Sequence, residues 1–329
     1  MSKERKRPLE DWKKTAAHLR FERGFSWTEI TDELSYLFPG EKRDTIKEKI
    51  RTAVRRMPEY KAAKEGEGKI TPRYNPVPKD IYNRYNGEKV IRFGLCGDTH
   101  LNSKYAQITY LHDFYDECSR EGIDAVYHCG DIDDGEGMRV GHQYDLVTQG
   151  ADEHVSEIVR LYPRRTGIKT KFITGNHDAS MMKRCGYNIG PTIALKRPDM
   201  EYLGSDCARV WLTPSVDFEI RHPWDGASAY SLSYKVQRMI EGMDIYNRPK
   251  VLAVGHYHKS SWFRFGGVEA FMVPCFQSET PFTIGKNISV AIGGFIVEMR
   301  LDDDGEIKSI IPRQIEYHKA IKDDWKNWR

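Results

Sequence analysis

Four apolar runs in this chain each break off at a glycine followed at once by a group that can hold a cation or carry a proton: VIRFGLCGDTH, AVYHCGDIDD, KFITGNHDAS and KVLAVGHYHK. A fifth run, FEIRHPWDG, ends in the lone His222. Short apolar runs bounded by glycine read as buried strands. Between them lie stretches of helical periodicity such as YAQITYLHDFYDECSREG and EHVSEIVRLYP. Strands alternating with helices predict an α/β core whose site gathers at the C-terminal rim of the strands. A β-rich tail follows, SWFRFGGVEAFMVPCF and SVAIGGFIVEMRLDDDGEIKSIIPRQIEY, the latter with a DDDG turn.

Taken singly, each cluster has an ordinary explanation. Gly-Asp is a turn dipeptide, and a lone histidine is often a core residue. Together they place Asp98, His100, Asp131, Asn176, His222, His256 and His258 at equivalent topological positions, with His177, Asp178 and Asp134 beside them. Chance is a poor account of that. Imidazole nitrogens and hard oxygens without thiolates suit two divalent cations, Mn foremost, with Fe or Zn as alternatives. Two cations side by side need a carboxylate between them, because only its two oxygens and its charge offset their repulsion. Such pairs, about 3.5 to 4 Å apart, clamp a phosphoryl group and activate the attacking water.

The order DxH, GDxxD, GNH plus an acid, a lone His and GHxH resembles the calcineurin-like metallophosphoesterase superfamily over residues 90 to about 260. The resemblance implies a β-sandwich of two sheets flanked by helices (α/β/β/α). It also implies Asp98, His100 and His258 on one metal, Asn176, His222 and His256 on the other, and Asp131 bridging. His177 would then bind the phosphate and protonate the leaving oxygen, with Asp178 orienting and charging its ring and Asp134 in support. Within the superfamily, the Ser/Thr protein phosphatases carry an arginine after GDxxD and a GNHE, where this chain has Gly135 and GNHD. The repair nucleases share GNHD and GHxH but add a DNA-capping domain. Here only 71 residues follow His258.

Charge is divided unevenly along the chain. Residues 1–70 hold 18 Lys and Arg against 13 Asp and Glu, whereas the remainder holds 33 against 35. Residues 1–62 read as a small all-α, three-helix module of helix-turn-helix type: DWKKTAAHLRFERG, SWTEITDELSYLF with a Ser26–Glu29 capping box, and KRDTIKEKIRTAVRRM. The third helix and its lead-in present Lys42, Arg43, Lys47, Arg51, Arg55 and Arg56, a face suited to phosphates of a duplex. Residues 63–88 read as a Pro-, Gly- and Tyr-containing linker, and 89–329 as the phosphoesterase domain. On the rim loops, Arg139, His142 and Lys259 would add attraction for a polyanion.

The six cysteines form no CxxC pair, which argues against a zinc ribbon or a disulfide framework and favours a reducing cytoplasm. No apolar stretch approaches the roughly 20 residues of a membrane span, so no membrane partner is expected. The tail DDWKNWR offers Trp325 and Trp328 either to a neighbour or to its own domain. Three functions compete: a metal-dependent nuclease or phosphodiesterase on nucleic acid, DNA foremost; a small-molecule phosphoesterase whose N-terminal module oligomerises; and a non-catalytic scaffold. The full ligand set and His177 count against the third. Oligomeric state is not legible.

Overall fold

The computed structural model describes residues 11–21, 27–55, 89–226 and 231–329. The chain divides into two compact units, Met1–Thr71 and Pro72–Arg329. Ser26 of the capping box, residues 63–88, Arg56 and the Arg55 side chain lie outside the described residues.

In the first unit, helices α1 (Asp11–Phe21), α2 (Trp27–Leu34) and α3 (Arg43–Arg55) enclose a small core. Ile30 and Leu34 of α2 meet Ile46, Ile50 and Val54 of α3, spaced at three and four residues so that each helix buries one stripe. Trp12 closes the core edge-on against Phe38, ring centroids 5.3 Å apart.

In the second unit two sheets stack. The first has the order β11-β10-β1-β2-β3-β4 and the second β5-β6-β7-β9-β8. The strands of the first are β1 (Val90–Cys96), β2 (Ala125–His128), β3 (Lys169–Thr174), β4 (Met200–Ser205), β10 (Gly293–Leu301) and β11 (Ile307–Glu316). Those of the second are β5 (Cys207–Trp211), β6 (Asp217–Arg221), β7 (Val251–Val254), β8 (Ser261–Phe265) and β9 (Val268–Met272). β1 to β4 run parallel, as do β6, β7 and β9. Antiparallel strands finish one edge of the first sheet and both edges of the second.

Alternation along the strands builds the layers. In β7, Val251 and Ala253 face the sandwich with Phe93, Leu95, Phe218 and Phe295, while Leu252 and Val254 face the helix α8 (Tyr234–Glu241) through Val236 and Ile240. On the outer face of the first sheet lie α4 (Ile108–Arg120), α5 (Ala151–Leu161), α6 (Ala179–Cys185) and α7 (Ile189–Lys196). A short α9 (Pro281–Gly285) precedes β10. The architecture is the helix-flanked two-sheet sandwich, and no helix among the described residues is long and apolar enough to cross a membrane.

The C-terminal tail folds onto its own domain. The residue ahead of α4, Gln107, supplies no side-chain cap, and Asp324 takes that part from the far end of the chain. Its carboxylate accepts from the Thr109 N–H at 2.7 Å and from the Thr109 hydroxyl. Trp328 stacks on His112 at 4.0 Å and donates to the same hydroxyl.

Candidate metal centre

The parallel strands of both sheets end at one rim. Asp98 and His100 follow β1, Asp131 follows β2, Asn176 follows β3, His222 follows β6, and His256 and His258 follow β7. The backbone stitches these ends together: Asp98 N donates to Gly130 O, and Gly255 N to Arg221 O. The glycines that end the runs are set by close approach. A Cβ on Gly130 would lie 2.5 Å from His222 Nδ1, and one on Gly175 would lie 2.4 Å from an Asp131 carboxylate oxygen. Of the nine non-glycine residues with left-handed φ among the described residues, five are candidate ligands: Asp98, His100, Asp131, His256 and His258. Such backbone costs about 1–3 kcal/mol per residue and persists where the surroundings enforce it.

Three donor groups result among the described residues. The ligand atoms of Asp98, His100 and His258 lie within 4.8 Å of one another, as do those of Asp131, His222 and His256, and those of His100, Asp134 and His177, which share His100 with the first group. The tautomers follow from what each ring touches, because a carbonyl can only accept. His222 Nδ1–H donates to Cys129 O at 2.8 Å, which in the neutral ring leaves a lone pair on Nε2. That lone pair faces Asn176 Oδ1 at 3.0 Å and Asp131 Oδ2 at 3.1 Å. His256 Nε2–H donates to Asp225 O, leaving Nδ1. His100 Nδ1 binds the Asp134 carboxylate at 3.0 Å, so its Nε2 lone pair meets His258 Nε2 at 3.1 Å. Asp98 Oδ1 stands 3.3 Å from His258 Nε2.

Lone pairs thus converge on lone pairs. Among the described residues, the buried carboxylates of Asp98 and Asp131 have ion-pair partners only among histidines. Only a proton or a cation satisfies such a set. In the absence of a cation protons answer the need. Burial lowers the His222 pKa, but the Asp131 and Asp98 carboxylates outweigh it and raise the group to about 9. Burial, followed by His222, depresses His256 to about 4. The donor set fits divalent cations of nitrogen and oxygen preference.

His177 stands beside these groups, its ring edge-on to that of His100 with centroids 4.6 Å apart. Its Nδ1–H donates to Asp134 O at 2.7 Å, which aims Nε2 away from the protein partner. Burial lowers its pKa, but Asp131 and Asp134 more than compensate and hold it at about 9. Asp134 is the hub: its carboxylate also meets His100, His142 and Gln277.

Asp178 departs from its expected part. It does not face the His177 ring; the start of α6 turns its carboxylate back onto the backbone, where it accepts from the N–H groups of Gly175, Asp133 and Ile132 at 2.8, 2.9 and 3.3 Å. It staples the GDIDD loop to the GNHD loop, and the ring is oriented by Asp134. Burial and the Asp131 charge push its carboxyl up to about 8. In the cation-loaded protein that charge is offset, and Asp178→Asn should cost about 2–4 kcal/mol of stability, since the amide cannot accept from all three donors. Turnover per bound metal should change less than about tenfold. Thermal unfolding and metal-normalised rates check this.

His142 is the second correction. A rim base for a polyanion must reach solvent, yet this ring is fully buried, with Nε2 at 3.2 Å from the Asp134 carboxylate and Nδ1 accepting from Met138 N. Arg139 pairs with Asp145 at 2.6 Å and lies over Phe282, and Lys259 Nζ binds Ser289. In the first unit Lys42 is exposed, Arg43 forks onto Asp32, Lys47 binds the Thr28 hydroxyl, and Arg51 lies 3.7 Å from Glu48.

Sequence reading missed three supports. Asp225 holds His256 through its carbonyl. Gln277 braces Asp134. Asp133 forms a buried chain with Asn102 and His154 at 2.7 Å each. The last was within reach: His154 shares the stripe of Ile158 and Leu161 in α5, so its ring had to be buried and partnered.

A novel archaeal phosphodiesterase is similar in structure at TM-score 0.39 and 16% identity, covering 69% of this chain and 100% of its own. A conserved uncharacterized protein of Streptococcus pneumoniae TIGR4, described as a predicted phosphoesterase, has TM-score 0.35 and 12% identity over 70% of this chain and 99% of its own. Zinc-complexed Vps29 of Entamoeba histolytica has TM-score 0.33 and 13% identity over 69% and 99%. No curated protein matches the chain. The calcineurin-like phosphoesterase family model matches residues 91–267, more than half of the chain and every candidate ligand from Asp98 to His258, and the chain belongs to that family.

Proposed function

We propose that this metal-dependent phosphoesterase is a phosphodiesterase acting on nucleic acid, DNA foremost, as a nuclease. The observation that carries this reading is the presence, on one chain, of a full two-cation donor set and a separate three-helix unit whose α3 and lead-in present Lys42, Arg43, Lys47 and Arg51. The pairs that Arg43 and Arg51 make with Asp32 and Glu48 are solvent-exposed and worth little, so phosphates can displace them. The α2–α3 pair serves in this reading as a helix-turn-helix that brings the duplex to the chain.

Asp98, His100 and His258 would hold one cation; Asn176, His222 and His256 the other; Asp131 would lie between. When bound, the cations, Mn foremost, polarise the phosphoryl oxygens and activate water. The remaining work falls to His177. Its Nδ1–H is committed to the Asp134 carbonyl, so the proton at Nε2 is the one available to the leaving oxygen. The short bond to a backbone oxygen fixes the ring, and the Asp134 carboxylate 3.5 Å from the same Nδ1 favours its protonated form.

Removing residues 1–71 separates this reading from its rival, a small-molecule phosphoesterase with an oligomerising N-terminal unit. Under the nuclease reading, cleavage of labelled DNA by the truncated protein falls at least about tenfold and loses most of its salt dependence, while hydrolysis of bis-nitrophenyl phosphate persists. Equal DNA cleavage by both forms, or a fall in oligomeric size with no change in cleavage, favours the rival.

A further inference from the structure

We propose that Trp224 is a base-stacking platform for an unpaired nucleotide next to the phosphodiester being cut; this rests on the nucleic-acid reading above. The indole is 50% exposed, yet it is held in place twice. Its Nε1–H donates to Asp206 Oδ1 at 2.8 Å, and the Lys183 ammonium stands 4.0 Å from the ring centroid.

Asp206 fixes where the ring sits. Its N–H donates to Thr174 O at 2.8 Å, and its carbonyl accepts from His222 N at 2.6 Å. Asp206 therefore ties the end of β3, two residues before Asn176, to the end of β6, and it does so in a left-handed conformation (φ 65°) unusual for a side-chain-bearing residue. Lys183 comes from α6, the helix that opens directly after Asn176, His177 and Asp178. Three separate segments that bear or flank the Asn176 and His222 side of the centre thus converge on one indole.

An aromatic ring pinned at a rim and half open to solvent offers a π-face without the entropy cost of ordering it on binding. The cation against it adds a phosphate contact beside a stacked base, the combination that single-stranded nucleic acid rewards. A small phosphomonoester would use neither. Stacking is tolerant of base identity, so the platform would impose no sequence preference, and it requires the base to be out of a duplex.

The test uses the full-length, metal-loaded protein on a labelled single-stranded oligodeoxynucleotide and on the same strand with abasic residues, in wild type, Trp224→Ala and Trp224→Phe. Wild type should favour the strand with bases by about tenfold in kcat/KM, mainly through KM. Trp224→Ala should bring that ratio close to one, and Trp224→Phe should restore most of it. A ratio in Trp224→Ala equal to that of wild type overturns the proposal and leaves the nuclease reading standing, as does a wild type that cuts only duplex. A wild type that cuts no nucleic acid but hydrolyses small esters removes both.

Discussion

Under the nuclease reading, replacing His177 with alanine should lower kcat on DNA by about 10²–10⁴-fold and leave the metal content at the wild-type level. The magnitude is that of a lost general acid, and the selectivity follows from position: the ring groups with His100 and Asp134 and not with the triads built on Asp98 and Asp131, and its Nδ1–H is already committed to the Asp134 carbonyl. Hydrolysis of bis-nitrophenyl phosphate should fall less than DNA cleavage, because nitrophenolate departs without a proton. A pure phosphate-binding role would depress both alike. The pH profile adds a sign. An acid must be protonated to act, so activity is lost as pH rises through the ring's pKa of about 9. Two cations nearby repel that proton and move the descending limb to lower pH. Elemental analysis beside rate measurement decides the matter: a loss of turnover that tracks loss of metal would return His177 to the ligand set.

The candidate centre was legible because its members share a grammar that strand physics imposes. All but His222 follow a buried run and a glycine, and the glycines are needed because neighbouring side chains occupy the space of a Cβ, as at Gly130 and Gly175. The two-sheet sandwich was legible through the resemblance more than through alternation. β7 is buried on both faces and reads as a plain apolar run that any buried strand could match. What was not legible is direction. Asp178 stands next to His177 in sequence, yet the turn that leads into α6 sends one side chain forward and the other back onto loop amides. His142 looked like a surface base because nothing in VGHQY reveals that the loop folds its histidine under Asp134. Asp225 acts on His256 through a backbone carbonyl, which no residue type advertises.

Asp131→Asn should abolish metal binding at the Asn176, His222 and His256 side and reduce activity to background, with the fold intact. Asparagine is the variant to use. Asp131 has φ 54°, a conformation that asparagine tolerates and alanine resists. The amide oxygen can still accept from His177 N, which binds Asp131 Oδ1 at 2.8 Å. What disappears is the charge. Without it nothing offsets a cation placed among neutral donors, and the second oxygen needed to span two cations becomes an NH₂. Stability separates this from misfolding. A ligand at a hundredfold excess over its Kd stabilises the native state by about 2.7 kcal/mol, and for a domain of this size that is a Tm rise of about 5–10 °C. The wild type should show that rise when divalent metal is added. The variant should unfold near the metal-free wild-type Tm and show little rise, because the carboxylate that most strongly favours protonation of His222 has gone and the buried charge has gone with it. If Asp131→Asn keeps two metals and most of its activity, the carboxylate does not lie between cations, and the two triads at the rim would be independent sites.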